Sequence, residues 1–226
     1  VTVGAVLVAA GEGSRLRADL PKALVELEGT PLVVHALRRL RAAGIATIVV
    51  VGHPEHLAAT SAAVGDLAGR VVAGGSTRSA SVRHGLDALP DEVDVVAVHD
   101  AARALTPTDV IAAAVTAVAG DVVAAAPGLA VTDTLKRVTA SGDVETVDRD
   151  GLVAIQTPQV VRRGVLEAAH VDAPDASDDL GLVERLVAEG RVTGRIVITG
   201  GSALAMKITY EQDLHVAAAL LHLDAP

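Results

Sequence analysis

Two cations, Arg15 and Lys22, stand seven residues apart in a loop that also carries Gly11 and Gly13. Glycines without Cβ let backbone N–H groups approach a ligand closely, and clustered N–H groups bind anions. Full positive charge beside them suits a polyphosphate, above all one whose charge grows during reaction. Pro21 fixes its own φ and pushes Leu20 towards extended backbone, so Lys22 is presented from a stiff loop. Two better-known glycine loops do not fit. A dinucleotide fingerprint needs glycine three residues after Gly13, where Leu16 stands, and an acidic residue ending the second strand, where Val51-Gly52-His53 offers none. No run of the form G-x-x-x-x-G-K-S/T occurs.

Alternating strand and helix patterns must position that loop. The apolar run at residues 3–9 predicts a buried first strand feeding directly into it. A helix is expected over 31–43, with Thr30 as N-cap and Pro31 at its first position, closed by Gly44. Strand 45–51, helix 55–64, strand 70–73 and helix 77–88 follow, the third strand ending at Gly74-Gly75. Strand 93–98 ends at His99-Asp100. Thr106 to Asp109 reads as a helix start with Asp109 in the capping-box place. Strand 122–126 comes next. Such alternation predicts an α/β fold, a Rossmann-like, mostly parallel sheet with helices on both faces. Ligands bind such sheets beyond the carboxyl ends of their strands, so the loops after Ala9, at Gly74-Gly75 and at Asp100 are expected to meet.

The rhythm breaks near residue 131. Segments 131–139 and 144–147 flank Ser141-Gly142-Asp143 and predict a β-hairpin. A two-stranded ribbon is marginal alone. Residues 131–152 are therefore expected to form an arm on a single domain spanning 1–226, packing on a second copy of the chain. Strand 153–156, helices 162–171 and from 177, strands 196–199 and 206–208, and a last helix from 211 complete the pattern.

Composition narrows the partners. The chain has no Phe, Trp or Cys, one Met and one Tyr, so its core is aliphatic. Without Cys there are no disulfides or thiolate metal sites. A net charge of −9 with no dense Lys/Arg tract and no stacking aromatics argues against nucleic acid. No apolar run reaches the roughly 18 residues of a membrane helix, and no basic-then-apolar leader precedes strand one. The expectation is a soluble cytoplasmic protein.

Together, A-A-G-E-G-S-R at 9–15, P-K at 21–22, G-G-S-T-R-S-A-S-V at 74–82 and V-H-D-A-A-R at 98–103 resemble the 2-C-methyl-D-erythritol 4-phosphate cytidylyltransferase family. D-T-L-K at 133–136, V-D-R-D-G-L at 147–152, T-P-Q at 157–159, S-D-D at 177–179 and K-I-T at 207–209 extend the resemblance in order along nearly the whole chain. It implies transfer of CMP from CTP to a polyol phosphate by a homodimer that exchanges arms. It implies Arg15 and Lys22 at the transition state, with Lys207 and Arg149 positioning the attacking phosphate. Ala9, Ala10, Gly11, Gly13, Gly74, Gly75, Ser81, Asp100 and Ala101 are expected to bind the nucleotide, and Arg103, Thr134, Lys136, Arg149 and Thr157 the acceptor. A phosphomonoester dianion needs no general base, so cations and a divalent metal suffice. Asp100 is the expected Mg²⁺ partner. His99 reads as a packed strand-end histidine. The chain departs from the family at Ser76, Ala104 and Ala205. A cytidylyltransferase for another polyol phosphate, such as ribitol 5-phosphate, is the nearest alternative, and a catalytically silent nucleotide-binding regulator a more distant one.

Overall fold

A computed structural model describes residues 1–13, 16, 20–171, 176 and 178–223. Strand β1 (Val3–Ala9) forms where the apolar run predicts it and ends at the glycine loop. Its residues point alternately to the two faces of the sheet. Ala5, Leu7 and Ala9 enter one aliphatic cluster, and Val6 enters the other. Burial on both sides is why this strand reads as an unbroken apolar run.

Strand β1 lies between β4 (Thr47–Gly52) and β6 (Val95–Asp100), parallel to both, and β5 (Arg70–Ala73) extends the parallel set beyond β4. The other half of the sheet is mixed. Strand β11 (Gln159–Arg162) runs antiparallel between β6 and β7 (Val122–Ala130). Strand β10 (Val153–Ile155) is antiparallel to the far end of β7, and β12 (Arg195–Gly200) is parallel to β7. The sequence pattern did not reveal β11. Its four residues follow Thr157-Pro158, joined by a cis peptide, and begin with a buried Gln rather than an apolar residue.

Helices cover both faces. One cluster joins α1 (Leu32–Ala42) and α4 (Thr108–Ala117) to the sheet through Leu37, Leu40, Ile111 and Ala114. The other joins α3 (Arg78–Asp87), α5 (Arg163–His170) and α6 (Asp179–Ala188) through Val82, Leu86, Leu166 and Leu186. Helix α2 (Leu57–Val64) follows a short 3₁₀ turn, and α7 (Glu211–Leu223) caps the Leu16–Leu105 side. Two helix starts differ from expectation. Pro31 and Pro107, not Thr30 and Thr106, occupy the N-cap positions, without side-chain caps. Thr30 is drawn into β3 (Thr30–Pro31), paired with β2 (Glu26–Leu27). The Thr106 hydroxyl donates to the Arg103 carbonyl, and Asp109 accepts from its neighbour Val110 rather than from the Thr106 N–H, so no capping box forms. Residues 206–208 are not a strand. They follow a 3₁₀ turn (Ala203–Ala205), and the Ile208 N–H donates to the Ala102 carbonyl.

The ribbon is present. Among the described residues, strands β8 (Leu135–Val138) and β9 (Val144–Val147) pair only with each other, around the left-handed Gly142. Val138 and Val144 on this ribbon are both exposed within the single chain.

Candidate functional site

The carboxyl ends of β1, β4, β5 and β6 open into one cavity of about 1020 Å³. From the first loop come Ala9, Ala10, Gly11, Gly13 and Lys22. Gly74, Gly75 and Ser81 come from the turn after β5, Asp100 and Ala101 from the end of β6, and Lys207 from the segment before α7. Eleven sequence-predicted residues thus share a wall, as the sheet rule requires. Arg15 lies outside the described residues, as does Ser177 of the S-D-D motif.

Two close approaches shape the wall. At Gly13 φ is +74°, and a Cβ there would stand 2.6 Å from Lys22 Cβ. The loop closes on itself at this point, with the Lys22 N–H donating to the Gly11 carbonyl at 3.3 Å. At Gly74 a Cβ would come within 2.4 Å of Ala10 Cβ, so the turn after β5 packs its bare backbone against the Ala10 methyl group. Ser81 ties the second turn. Its Oγ donates to the Thr77 carbonyl at 2.9 Å and accepts from the Gly75 N–H at 3.1 Å. Ser81 is buried on α3 rather than facing solvent. One lone pair of its hydroxyl remains, since a hydroxyl has one donor and two acceptor sites.

At the end of β6 Asp100 holds two cations. Lys207 Nζ lies 2.8 Å from Oδ2 and Arg78 Nε 3.5 Å from Oδ1. Burial alone would raise the Asp100 pKa, but Arg78 and Lys207 overcome it and hold the carboxyl at about 2. Sequence reasoning gave Arg78 no role. It is the residue that links Asp100 to a second buried carboxylate, Asp179, at 2.8 Å. Burial would lower the Arg78 pKa, and Asp179 and Asp100 together raise it. Asp179 is fully enclosed. Its other oxygen meets His170 Nε2 at 2.9 Å, and its backbone N–H donates to Gln159 Oε1 at 2.7 Å. Gln159 also accepts from the Leu180 N–H, so a strand side chain satisfies two donors at the start of α6. Gln159 and Asp179 lie within the T-P-Q and S-D-D motifs, which were the available signal.

Four of the five predicted acceptor residues are already committed within the chain. The Arg103 fork donates to the carbonyls of Ala205 and Ile155 at 2.7 and 3.2 Å, and only its Nε lacks a partner among the described residues. It braces the loop carrying Lys207 rather than presenting a free fork, and burial lowers its pKa. Thr157 is buried. Its Oγ1 accepts from the Asp100 N–H at 3.2 Å and bonds His99 Nδ1 at 2.9 Å. His99 is a packed strand-end residue as expected, and burial pushes its pKa down to about 4. On the arm, Lys136 donates to Thr146 Oγ1 at 2.6 Å and Arg149 to the Thr132 carbonyl, while Thr134 is exposed. None of these three arm residues lines the cavity of its own chain.

A mixed α/β sheet with a glycine loop, Lys22 and an Asp100–Lys207 pair around one cleft defines a nucleotidyltransferase. Comparison then fixes the kind. Residues 3–223 match the family 2-C-methyl-D-erythritol 4-phosphate cytidylyltransferase. A protein of that name from Frankia casuarinae is 42% identical, covering 97% of this chain and 81% of the relative. A bifunctional enzyme IspD/IspF from Clavibacter michiganensis is 48% identical over 99% of this chain, which spans 55% of that relative's length. The crystal structure of the enzyme from Thermus thermophilus superposes with a TM-score of 0.79 at 32% identity, covering 96% of this chain and 98% of that one. The chain belongs to the 2-C-methyl-D-erythritol 4-phosphate cytidylyltransferase family. Among the described residues, no helix is long and apolar enough to cross a membrane.

Proposed function

We propose that this chain, acting in the cytoplasm, transfers CMP from CTP to the phosphate of 2-C-methyl-D-erythritol 4-phosphate. A phosphate oxygen of the acceptor forms a bond to the α-phosphorus, the bond to the β-phosphate oxygen breaks, and pyrophosphate leaves. The acceptor phosphate is largely dianionic at neutral pH, its second pKa being about 6, so no side chain need remove a proton. The task is to bring two anions together and to meet the charge that develops at phosphorus.

The observation that carries this reading is the pairing of Lys207 with an ionised Asp100 in the cleft that Lys22 also lines. An ammonium has three donors. Asp100 takes one of Lys207 at 2.8 Å, and its aim leaves two for the attacking phosphate. Lys22 serves the triphosphate from the glycine loop of the same cleft, and the resemblance assigns Arg15 the same duty. Cytosine presents an amino donor to the remaining acceptor site of Ser81, whose own proton is committed to Thr77. Uracil presents an acceptor there, so the pairing favours CTP.

Asp100 fits a role towards Mg²⁺. It is ionised, it lines the cleft, and its Oδ1 has, among the described residues, the long Arg78 contact at 3.5 Å. Mg²⁺ is commonly held by one or two carboxylates plus substrate phosphates. Asp100 would hold it with the nucleotide, and the ion would supply charge neutralisation on the phosphates.

The arm completes the reading. Thr134, Lys136 and Arg149 sit on a ribbon outside their own chain's cleft, with Val138 and Val144 exposed beside them. A two-fold homodimer that exchanges arms would deliver Arg149 to the partner's acceptor phosphate, with an isologous interface. The deciding test of substrate is pyrophosphate release from CTP with methylerythritol phosphate and ribitol 5-phosphate offered in parallel. Turnover with the first and little with the second is expected, and the reverse would overturn the acceptor.

A further inference from the structure

His53, Glu55 and His56 form a cluster that the cytidylyl-transfer reading leaves unused. They follow the carboxyl end of β4 and line the same cavity, beside the Gly52 carbonyl that accepts from the Gly74 N–H at 2.8 Å. Among the described residues, they are the one group of three His, Cys, Asp or Glu whose ligand atoms converge, all within 4.8 Å of one another. The local fold accounts for this. His53 is the N-cap of a 3₁₀ turn, Pro54 starts it, and His56 stands three residues on. N-cap and third-position side chains face each other across the first turn, as in a capping box. The two imidazoles meet edge to face, with centroids 5.5 Å apart and planes at 61°. Both are half-buried and thereby restricted, while Glu55 is exposed and free to swing.

We propose that His53, Glu55 and His56 bind one borderline transition-metal cation of the Zn²⁺ class, with an open coordination position towards the cleft. Two imidazoles and a carboxylate are a common three-ligand set for zinc, at metal–ligand distances of about 2.0–2.2 Å. Tetrahedral coordination at that length brings ligand atoms to roughly 3.3–3.6 Å of each other. Closing from 4.8 Å takes a rotamer adjustment of Glu55 and small ring rotations. The cost is one weak hydrogen bond, the Glu55 N–H to His53 Nδ1 at 3.3 Å, whose donor sits on an exposed residue and can turn to water. Imidazole ligands select zinc, cobalt, nickel and copper over magnesium, which demands oxygen ligands. The site is therefore chemically separate from any Mg²⁺ held with nucleotide phosphates.

Cobalt(II) titration of metal-stripped protein tests it. The expected result is one equivalent of Co²⁺ giving visible ligand-field bands of a low-coordinate site. Zn²⁺ abolishes them, millimolar Mg²⁺ leaves them, and sodium azide shifts them through the open position. His53→Gln and His56→Gln should each weaken Co²⁺ binding by about tenfold or more, with circular dichroism checking the fold. Glu55→Gln, at an exposed position, gives a second variant that should also weaken binding. Absence of bands, bands unchanged in the doubly substituted H53Q/H56Q protein, or displacement by Mg²⁺ would each overturn the site.

Discussion

Asp100→Asn removes one charge from a buried cluster while keeping its shape. The magnitude follows from the carboxyl's own pKa, which falls from 3.8 to about 2 on folding even though burial opposes the change. At 1.36 kcal/mol per unit, the folded protein favours the charged form by about 2–3 kcal/mol. A carboxylate whose folded pKa is depressed contributes this stability in full above its unfolded pKa, and loses it as pH falls through the folded value. The window here runs from 3.8 down to about 2. The substitution also leaves Arg78 with Asp179 alone and takes from Lys207 its 2.8 Å partner. For a chain of this length each kcal/mol moves the midpoint by about 2–4 °C, so a fall of roughly 5–10 °C is expected at neutral pH. Calorimetry and urea unfolding of both proteins from pH 7 to pH 2 measure it. The gap should be constant down to about pH 4 and then close. Equal midpoints at pH 7, or a gap that persists undiminished at pH 2, would refute the charge argument.

Wild-type protein should use CTP over UTP by roughly 10²-fold or more in kcat/KM, and Ser81→Ala should narrow the ratio; equal turnover with UTP would remove the polar readout. Asp179→Asn takes the carboxylate from both Arg78 and His170 in a dry site and should cost about 3–5 kcal/mol in urea unfolding, whereas an unchanged midpoint would show that the pair is idle. For the arm, inactive Lys22→Ala and Arg149→Ala proteins should recover activity when mixed and re-equilibrated, because one site of a mixed dimer then carries neither lesion. Full subunit exchange without recovery would contradict the shared site.

Much of the site was legible because parallel strands buried on both faces leave apolar runs that end in glycine or a lone charge. Residues 3–9 and 70–73 match β1 and β5 for this reason, and the loops that follow them meet as the sheet rule demands. Strand β11 was hidden because Gln159 opens it, and that glutamine is spent on the backbone of α6. The role of Arg78 is invisible within its motif because its partner Asp179 lies 101 residues away, a pairing only the fold creates. Arg103 shows the opposite case. The resemblance implies that it binds the acceptor, and only the fold shows that its two terminal nitrogens also brace the carbonyls of Ile155 and Ala205. Pro31 is expected at the first helical position, but extended backbone at Pro31 and Pro107 makes each proline the N-cap, one residue on from the threonine.

The central claim is that this cleft accelerates transfer by meeting phosphate charge with Lys22 and Lys207. Pyrophosphate release from CTP and methylerythritol phosphate, measured for wild type, Lys22→Ala and Lys207→Ala, tests it most directly. Each variant should lose about 10²–10³-fold in kcat, the scale for one preorganised transition-state contact, with a smaller change in KM. A variant with near-normal kcat and only a raised KM would make that lysine a ground-state binder, and a wild-type protein that releases no pyrophosphate would contradict the whole account.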